Sequence, residues 1–275
     1  MSFVVDPSSP SVRIKLTIAY RGTHYHGWQR QEIPPTWKGE TLPDHGLPTV
    51  QECLEKALKH VVRHPLNVVG SSRTDSGVHA KGQVVHFDTD KVQIPDEGFR
   101  RAINSRLPGD INVVKLEHTP ATFDAIGSTV SKRYQYVIWN AIDRNPHLYG
   151  LVNHRWQTLD VDLMRQAAAS FVGTHDFVGF AKAGHGREST VRTIFNCAVS
   201  KRKQFVVIGV EGSGFLWNQI RIMAGTLLEI GHGELPADRV RVALESGERR
   251  LAGRTAPANG LYLQWIKFAS NSEPA

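Results

Sequence analysis

The sequence predicts an α+β protein made of two successive β-α-β-β-α-β halves. Three observations lead there. Strand-like alternation is interleaved with helix-like stretches rather than gathered in one block. Three of the helix-like stretches open on cap residues. The order of elements over residues 13–116 then recurs over residues 134–268.

Arg13 to Tyr20 (RIKLTIAY) alternates polar and apolar side chains, as a half-buried strand does. Thr49-Val50-Gln51-Glu52 is an S/T-x-x-E capping box, which satisfies free amides at a helix start. Val50, Cys53, Leu54, Ala57, Leu58, Val61 and Val62 mark the inner face of that helix. Leu66 to Gly70 reads as a short strand and Gln83 to Asp88 as its partner. Asp96 is positioned to cap a second helix facing inward through Phe99, Ala102, Ile103 and Leu107. Leu107-Pro108-Gly109-Asp110 ends it, and Ile111 to Leu116 is the next strand.

In the second half, Tyr134 to Trp139 is a strand. Asp160 caps a helix whose inner face is Leu163, Met164, Ala167, Ala168 and Phe171, with Gly173 as its stop. Thr193 to Val199 and Phe205 to Val210 form a hairpin about Lys201-Arg202-Lys203. Phe215 to Ile230 reads as a long apolar helix, Asp238 to Glu245 as a shorter one, and Leu261 to Phe268 as the last strand. Each half is therefore a split β-α-β unit of the ferredoxin-like kind. The division falls near residues 118–130, giving halves of about 1–120 and 121–275. The segment 31–48 holds Pro34, Pro35, Pro43 and Pro48 with Gly39 and Gly46, and is expected to be a long surface loop.

The 275 residues carry a formal net charge of +7, and 40% of them are apolar. The charge favours a polyanionic partner, nucleic acid first. Cys53 and Cys197 stand far apart, with no CxxC to suggest a zinc or redox motif, and both read as core thiols. The stretch MSFVVDPSSPS lacks the basic and apolar regions of a secretory signal, and no apolar run is long enough to span a bilayer. The cytoplasm is the expected compartment.

The chemistry concentrates between Gly70 and Thr89, GSSRTDSGVHAKGQVVHFDT. On its own, an Asp before Ser-Gly is a turn former. Here Arg73 lies two residues before Asp75, on the same face of an extended chain. Gly70, Gly77 and Gly82 would let backbone approach a ligand closely. His24, His26, His79 and His86 have no HxxxH or CxxC spacing to make a metal site.

The run RTDSGVHAKGQVVHFDT resembles the active-site motif of the TruA family of tRNA pseudouridine synthases. YRGTHYHGWQRQ (Tyr20 to Gln31), KRYQYVI (Lys132 to Ile138), FLWNQIRIMAG (Phe215 to Gly225) and APANGLYL (Ala256 to Leu263) resemble other family segments, in the family's order. The resemblance spans about Arg13 to Phe268. It implies the pseudouridine synthase fold, in which two ferredoxin-like halves share a mostly antiparallel central sheet with the active-site cleft between them. It also implies an isomerase that converts uridine to pseudouridine at positions 38, 39 and 40 of the tRNA anticodon arm, and a homodimer. No cofactor or metal is implied. The N1–C1′ bond breaks, the uracil turns and C5 bonds to C1′, so nothing is exchanged with a second substrate.

By the same resemblance, Asp75 is the nucleophile and Tyr134 stacks on the target base. Arg221 pairs with Asp75, and Arg73 takes a substrate-side or base-flipping role. Strand parity alone does not separate Tyr134 from Tyr136. Arg21, Arg30, Arg100, Arg101, Arg106, Lys132, Arg133 and Arg192 are candidates for phosphate contacts. Two departures stand out. The 31–48 loop is longer than the usual family link, and Ser72 replaces a common Gly just before the Arg.

Two other functions share some of these features. An N-glycoside hydrolase would use the same carboxylate-assisted first step but release free uracil. A non-catalytic RNA-binding module shares the ferredoxin-like plan but needs exposed aromatic motifs on inner strands, and FVGFAK (Phe177 to Lys182) echoes one only weakly.

Overall fold

The computed structural model describes residues 11–30, 48–91, 93–182, 184 and 188–269. The predicted 31–48 loop, with Trp37, lies outside the described residues apart from Pro48. The chain divides into two compact units. One runs to Thr129 and includes Ala269, and the other is Val130–Phe268. The fold is mixed α+β with mostly antiparallel strands.

The first unit contains β1 (Val12–Tyr20), α1 (Val50–Val62), β2 (Val69–Gly70), β3 (His79–Thr89), α2 (Asp96–Asn104) and β4 (Ile111–Thr119). Its strands lie in the order β4-β1-β3-β2, with every neighbouring pair antiparallel. That is the order of a split β-α-β unit. Ile14, Leu16 and Ile18 of β1 are fully buried, as are Leu54 and Leu58 of α1. Phe99 of α2 meets Phe87 of β3 edge-on, with ring centroids 6.4 Å apart.

The Thr49 capping box forms as expected. Thr49 Oγ1 accepts from Glu52 N at 3.3 Å, and Thr49 N donates to the Glu52 carboxylate at 2.8 Å. Asp96 does not cap α2. Pro95 holds that place and Asp96 is the first helical residue, with its carboxylate against His118 Nε2 at 2.9 Å. Proline's fixed φ suits a helix entry, so the cap moves one residue towards the N-terminus. Leu66 to Gly70 yields only a two-residue strand. The strand opposite begins at His79, not Gln83, because β3 is buried on both faces and shows no alternation to read.

The second unit contains β5 (Thr129–Asn140), β6 (Asn153–Arg155), α3 (Val161–Ala169), β7 (Gly173–Asp176), β8 (Val191–Arg202), β9 (Phe205–Gly212), α4 (Gln219–Gly231), α5 (Arg239–Ser246) and β10 (Leu261–Phe268). The strand order is β10-β5-β9-β8-β7, with β6 parallel to one end of β5. The β8–β9 hairpin turns at Lys203-Gln204, where Lys203 takes a left-handed φ of 53°. The strands β6 and β7 are additions to the expected order, each too short for a pattern to show.

Asp160 caps α3 by accepting from Asp162 N and Leu163 N, both at 3.0 Å. Leu163 is exposed and Val161 takes its place in the inner face. The long helix begins at Gln219, not Phe215. Asn218 sits in the left-handed region at φ 61°, so the Phe215–Asn218 stretch is a turn feeding α4. Cys197 is buried, and that burial pushes its thiol up to about 12, while Cys53 is only half-buried. Phe177 and Phe180 are buried beside Phe171, on a 3-10 turn rather than an exposed strand. No helix among the described residues is long and apolar enough to cross a membrane.

Candidate active site

In the first unit, the path from Ser71 to His79 carries Arg73 and Asp75. Ser71 N still donates to Val84 O at 2.9 Å, extending the β2–β3 pairing. Burial then alternates, with Ser72 and Thr74 buried, Arg73 exposed and Asp75 half-buried. Alternation of this kind belongs to extended chain. The inward side is held by specific bonds. Gln83, fully buried on β3, accepts from Ser72 N at 3.3 Å and donates to Ser72 O. Thr74 Oγ1 bonds the Tyr20 hydroxyl at 2.8 Å, and Thr74 O accepts from Trp28 N at 3.0 Å. After Asp75 the chain turns, with Val78 N donating to Asp75 O at 3.1 Å and Gly77 at φ 79°. A positive φ at the third turn position is what glycine supplies there.

The segment Tyr20 to Trp28 is moulded to that turn. Gly22 N donates to Nδ1 of the buried His79 at 3.0 Å, and Tyr25 O accepts from Ser76 Oγ at 3.2 Å. A Cβ on Gly22 would stand 1.9 Å from Val78 O, and one on Gly27 would stand 2.7 Å from Thr74 O. Neither backbone oxygen can yield cheaply, so glycine is required for the close approach. Gly70 serves the same mould, since a Cβ there would lie 2.4 Å from Trp28 Nε1. The Tyr25 hydroxyl donates to Asp110, and burial together with that carboxylate pushes the phenol's pKa up.

Of the four candidate histidines, His79 and His86 have structural partners. His86 Nδ1 accepts from Ala125 N at 3.1 Å, as His79 does from Gly22. Among the described residues no group of three or more His, Cys, Asp or Glu is arranged to hold a metal ion.

In the second unit, three distant segments come together. Tyr134 is buried on β5 and meets the Phe215 ring edge-on, with centroids 5.4 Å apart. Tyr136 is fully buried, donates its hydroxyl to Pro257 O at 2.9 Å, and packs so closely that a Cβ on Gly260 would lie 2.8 Å from its ring. The half-buried Arg221 donates through Nε to Ala256 O at 2.8 Å and through Nη1 to Asn218 Oδ1 at 3.0 Å. Ala256 N returns a bond to Arg221 O at 3.0 Å. Thus 132–138, 215–225 and 256–263 brace one another. Trp217 is exposed with Lys182 Nζ 4.0 Å from its ring centre.

The candidate phosphate contacts differ in their surroundings. Arg21 and Arg106 are exposed, and Lys132 is half-buried. Arg30 Nη1 lies 3.4 Å from the buried carboxylate of Glu55. Arg100 and Arg101 both bond Glu97, whose carboxyl they hold down at about 2. Arg133 stands 3.7 Å from Glu211, and Arg192 donates to the carbonyls of Ser189 and Val191.

The family model described as tRNA pseudouridine synthase matches residues 16–126 and 167–269. The tRNA pseudouridine synthase A of Acetivibrio thermocellus is 39% identical over 255 residues, covering 93% of this chain and 99% of its own. That of Thermoanaerobacter pseudethanolicus is 40% identical over 250 residues, covering 91% and 97%. The Pseudomonas aeruginosa protein of the same name is 39% identical over 261 residues, covering 95% and 87%.

Proposed function

The chain belongs to the tRNA pseudouridine synthase family, and on that premise we propose that it isomerises uridines 38, 39 and 40 of tRNA with Asp75 as the nucleophile. The observation that carries the residue assignment is the placement of Asp75. It lies on the outward register of a segment whose inward register is bonded at Ser72 and Thr74.

A carboxylate fits the reaction. It can add to C1′ or to C6, or oppose positive charge growing at C1′ as the N1–C1′ bond breaks. The freed uracil turns, C5 bonds to C1′, a proton leaves C5 and one is gained at N1. Atoms and electrons balance within one nucleotide, so the reaction needs no redox partner or energy donor.

The first half supplies the carboxylate and the second half the tyrosine that holds the base. Tyr134 is assigned the stacking role by the resemblance of Lys132 to Ile138 to the family segment, while Tyr136 is committed to Pro257 and Gly260. Arg221 is assigned to pair with Asp75, its backbone and side chain being fixed by Ala256. Arg73, exposed beside Asp75, is assigned to the RNA side, where it aids flipping of the target nucleotide. Of the basic residues, Arg21, Arg30, Arg100, Arg101 and Arg133 are proposed to contact the RNA. The enzyme works in the cytoplasm as a homodimer.

Replacing Asp75 by Asn keeps size and removes charge. Tritium release from C5-labelled uridine in tRNA should then vanish while tRNA affinity stays within a few fold. Substantial turnover by the variant would remove Asp75 from the chemistry. Mapping pseudouridines in tRNA from cells lacking the protein tests the three positions, and recovery of free uracil instead would indicate hydrolysis.

A further inference from the structure

Asp75 is held by its neighbours rather than by regular structure, which raises the question of what aims it. Ser72, Arg73, Thr74 and Asp75 alternate inward and outward. Whatever fixes the inward pair therefore sets the direction of the outward pair. The Ser72 end is fixed by the buried Gln83 amide, which acts as an extra rung beyond the β2–β3 pairing at Val69 and Gly70. The Thr74 end is fixed by the hydroxyl of Tyr20, and both side chains are buried.

Tyr20 reaches Thr74 through a local fault in the sheet. Along β1 and β3, Ile18 pairs with Gln83, and an unbroken register would set Tyr20 against Lys81. The register shifts instead, and Tyr20 pairs with Ala80. Such bulges re-aim a side chain. The Tyr20 ring is further supported by stacking on Trp28, with centroids 6.2 Å apart, and Trp28 N itself bonds Thr74 O. Backbone and side chain of Thr74 are thus gripped from one segment, the residue immediately before the carboxylate.

We infer that Tyr20 is a positioning residue for the reaction, acting through Thr74 to aim the Asp75 carboxylate. The same arrangement accounts for the placement of Ser72. Its side chain is buried on the inward register, away from the outward side that Arg73 and Asp75 occupy. The inference rests on the assignment of Asp75 made above.

The test is a cycle of Tyr20→Phe, Thr74→Val and the double variant, measured in the full-length protein. Tyr20→Phe keeps the ring on Trp28 and removes one hydroxyl. The readouts are the single-turnover rate at saturating enzyme, corrected for the folded fraction, and the affinity for tRNA. Misaiming a reacting group by a fraction of an ångström to an ångström costs about tenfold to a hundredfold in rate. Each single variant should lose rate on that scale with affinity within about twofold, and the double variant should be no slower than the slower single, as coupled residues are. A merely structural bond would lower the melting temperature and leave the corrected rate unchanged, and that result would overturn the inference. Additive losses would overturn it as well. Asp75→Asn run alongside separates the two assignments. Turnover by that variant defeats the Asp75 assignment, whereas an inactive Asp75→Asn beside a full-rate Tyr20→Phe defeats only the role given to Tyr20.

Discussion

Tyr134 and Tyr136 share a strand and a parity, so the resemblance and their surroundings are what separate them. The Tyr136 hydroxyl is spent on Pro257 O in a fully buried site. Phenylalanine at 136 would leave that carbonyl without its donor, at a cost of about 1–3 kcal/mol. The expected outcome is a lower urea midpoint at unchanged slope, with turnover per folded molecule retained. Tyr134→Ala should instead lose turnover heavily, because the detached base would have no ring to hold it. Tyr134→Phe then separates stacking from proton transfer. If it restores the full rate in the tritium assay, the phenol carries no needed proton. Turnover by Tyr134→Ala would move the stacking role elsewhere. The sequence showed the two tyrosines but not their partners, since Pro257 and Gly260 lie more than a hundred residues away. The buried Glu55 beside Arg30 was equally hidden, because a carboxylate on a helix reads as solvent-facing until a long-range partner is known.

At the scale of elements, the cues that could be read were the ones acting over a few residues. The Thr49 box and the Asp160 cap are local and both formed. The cues that failed depended on something non-local or on backbone conformation. The left-handed turn at Asn218 cut the apolar run from Phe215 short, and Pro95 displaced Asp96. Burial on both faces erased the alternation at the start of β3. The α1 start also shows how local and distant cues join. Val50 N donates to Gly27 O and Gln51 N to Trp28 O, so the helix's first amides are satisfied by the mould around Asp75. Thr49→Ala should therefore destabilise the first unit by about 1 kcal/mol, read as a shifted denaturation midpoint.

His86 gives β3 a pH dependence of known sign. Burial, aided by Arg13, lowers its pKa from the ordinary value. The folded state then binds fewer protons than the unfolded chain, whose histidine titrates near 6.5. Stability is full above that value and falls as the solution is acidified through and below it. The expected thermal midpoint declines between about pH 7 and pH 5. His86→Asn, which offers an amide oxygen to Ala125 N, should flatten part of that decline. His232 in the second unit shifts in the same direction, so a residual slope should remain.

For the whole molecule, the surplus of positive charge has to be reconciled with the ion pairs that consume it. The net charge is +7. Yet Arg100 and Arg101 share Glu97, and Arg30 and Arg133 each lie within 4.0 Å of a carboxylate. The pairs on Glu97 are at the surface and weak, so phosphate can compete for Arg100 and Arg101, whereas Arg30 is held on the buried Glu55. Binding of tRNA should therefore release counterions, and affinity should fall steeply with salt, by several ions in the log–log slope. In the proposed homodimer, one subunit would carry out the reaction while the other would hold the distant elbow of the same tRNA. An isolated anticodon stem-loop should then bind more weakly than intact tRNA and show a shallower salt slope, having lost the second set of contacts. Arg21→Ala should reduce the slope by about one for intact tRNA if that residue meets a phosphate. Light scattering at assay concentration reports the assembly directly. A fully active monomer, or a stem-loop modified as efficiently as intact tRNA, would rule out the two-subunit arrangement while leaving the assignment of Asp75 untouched, because the carboxylate and its supports at Ser72 and Thr74 lie within one chain.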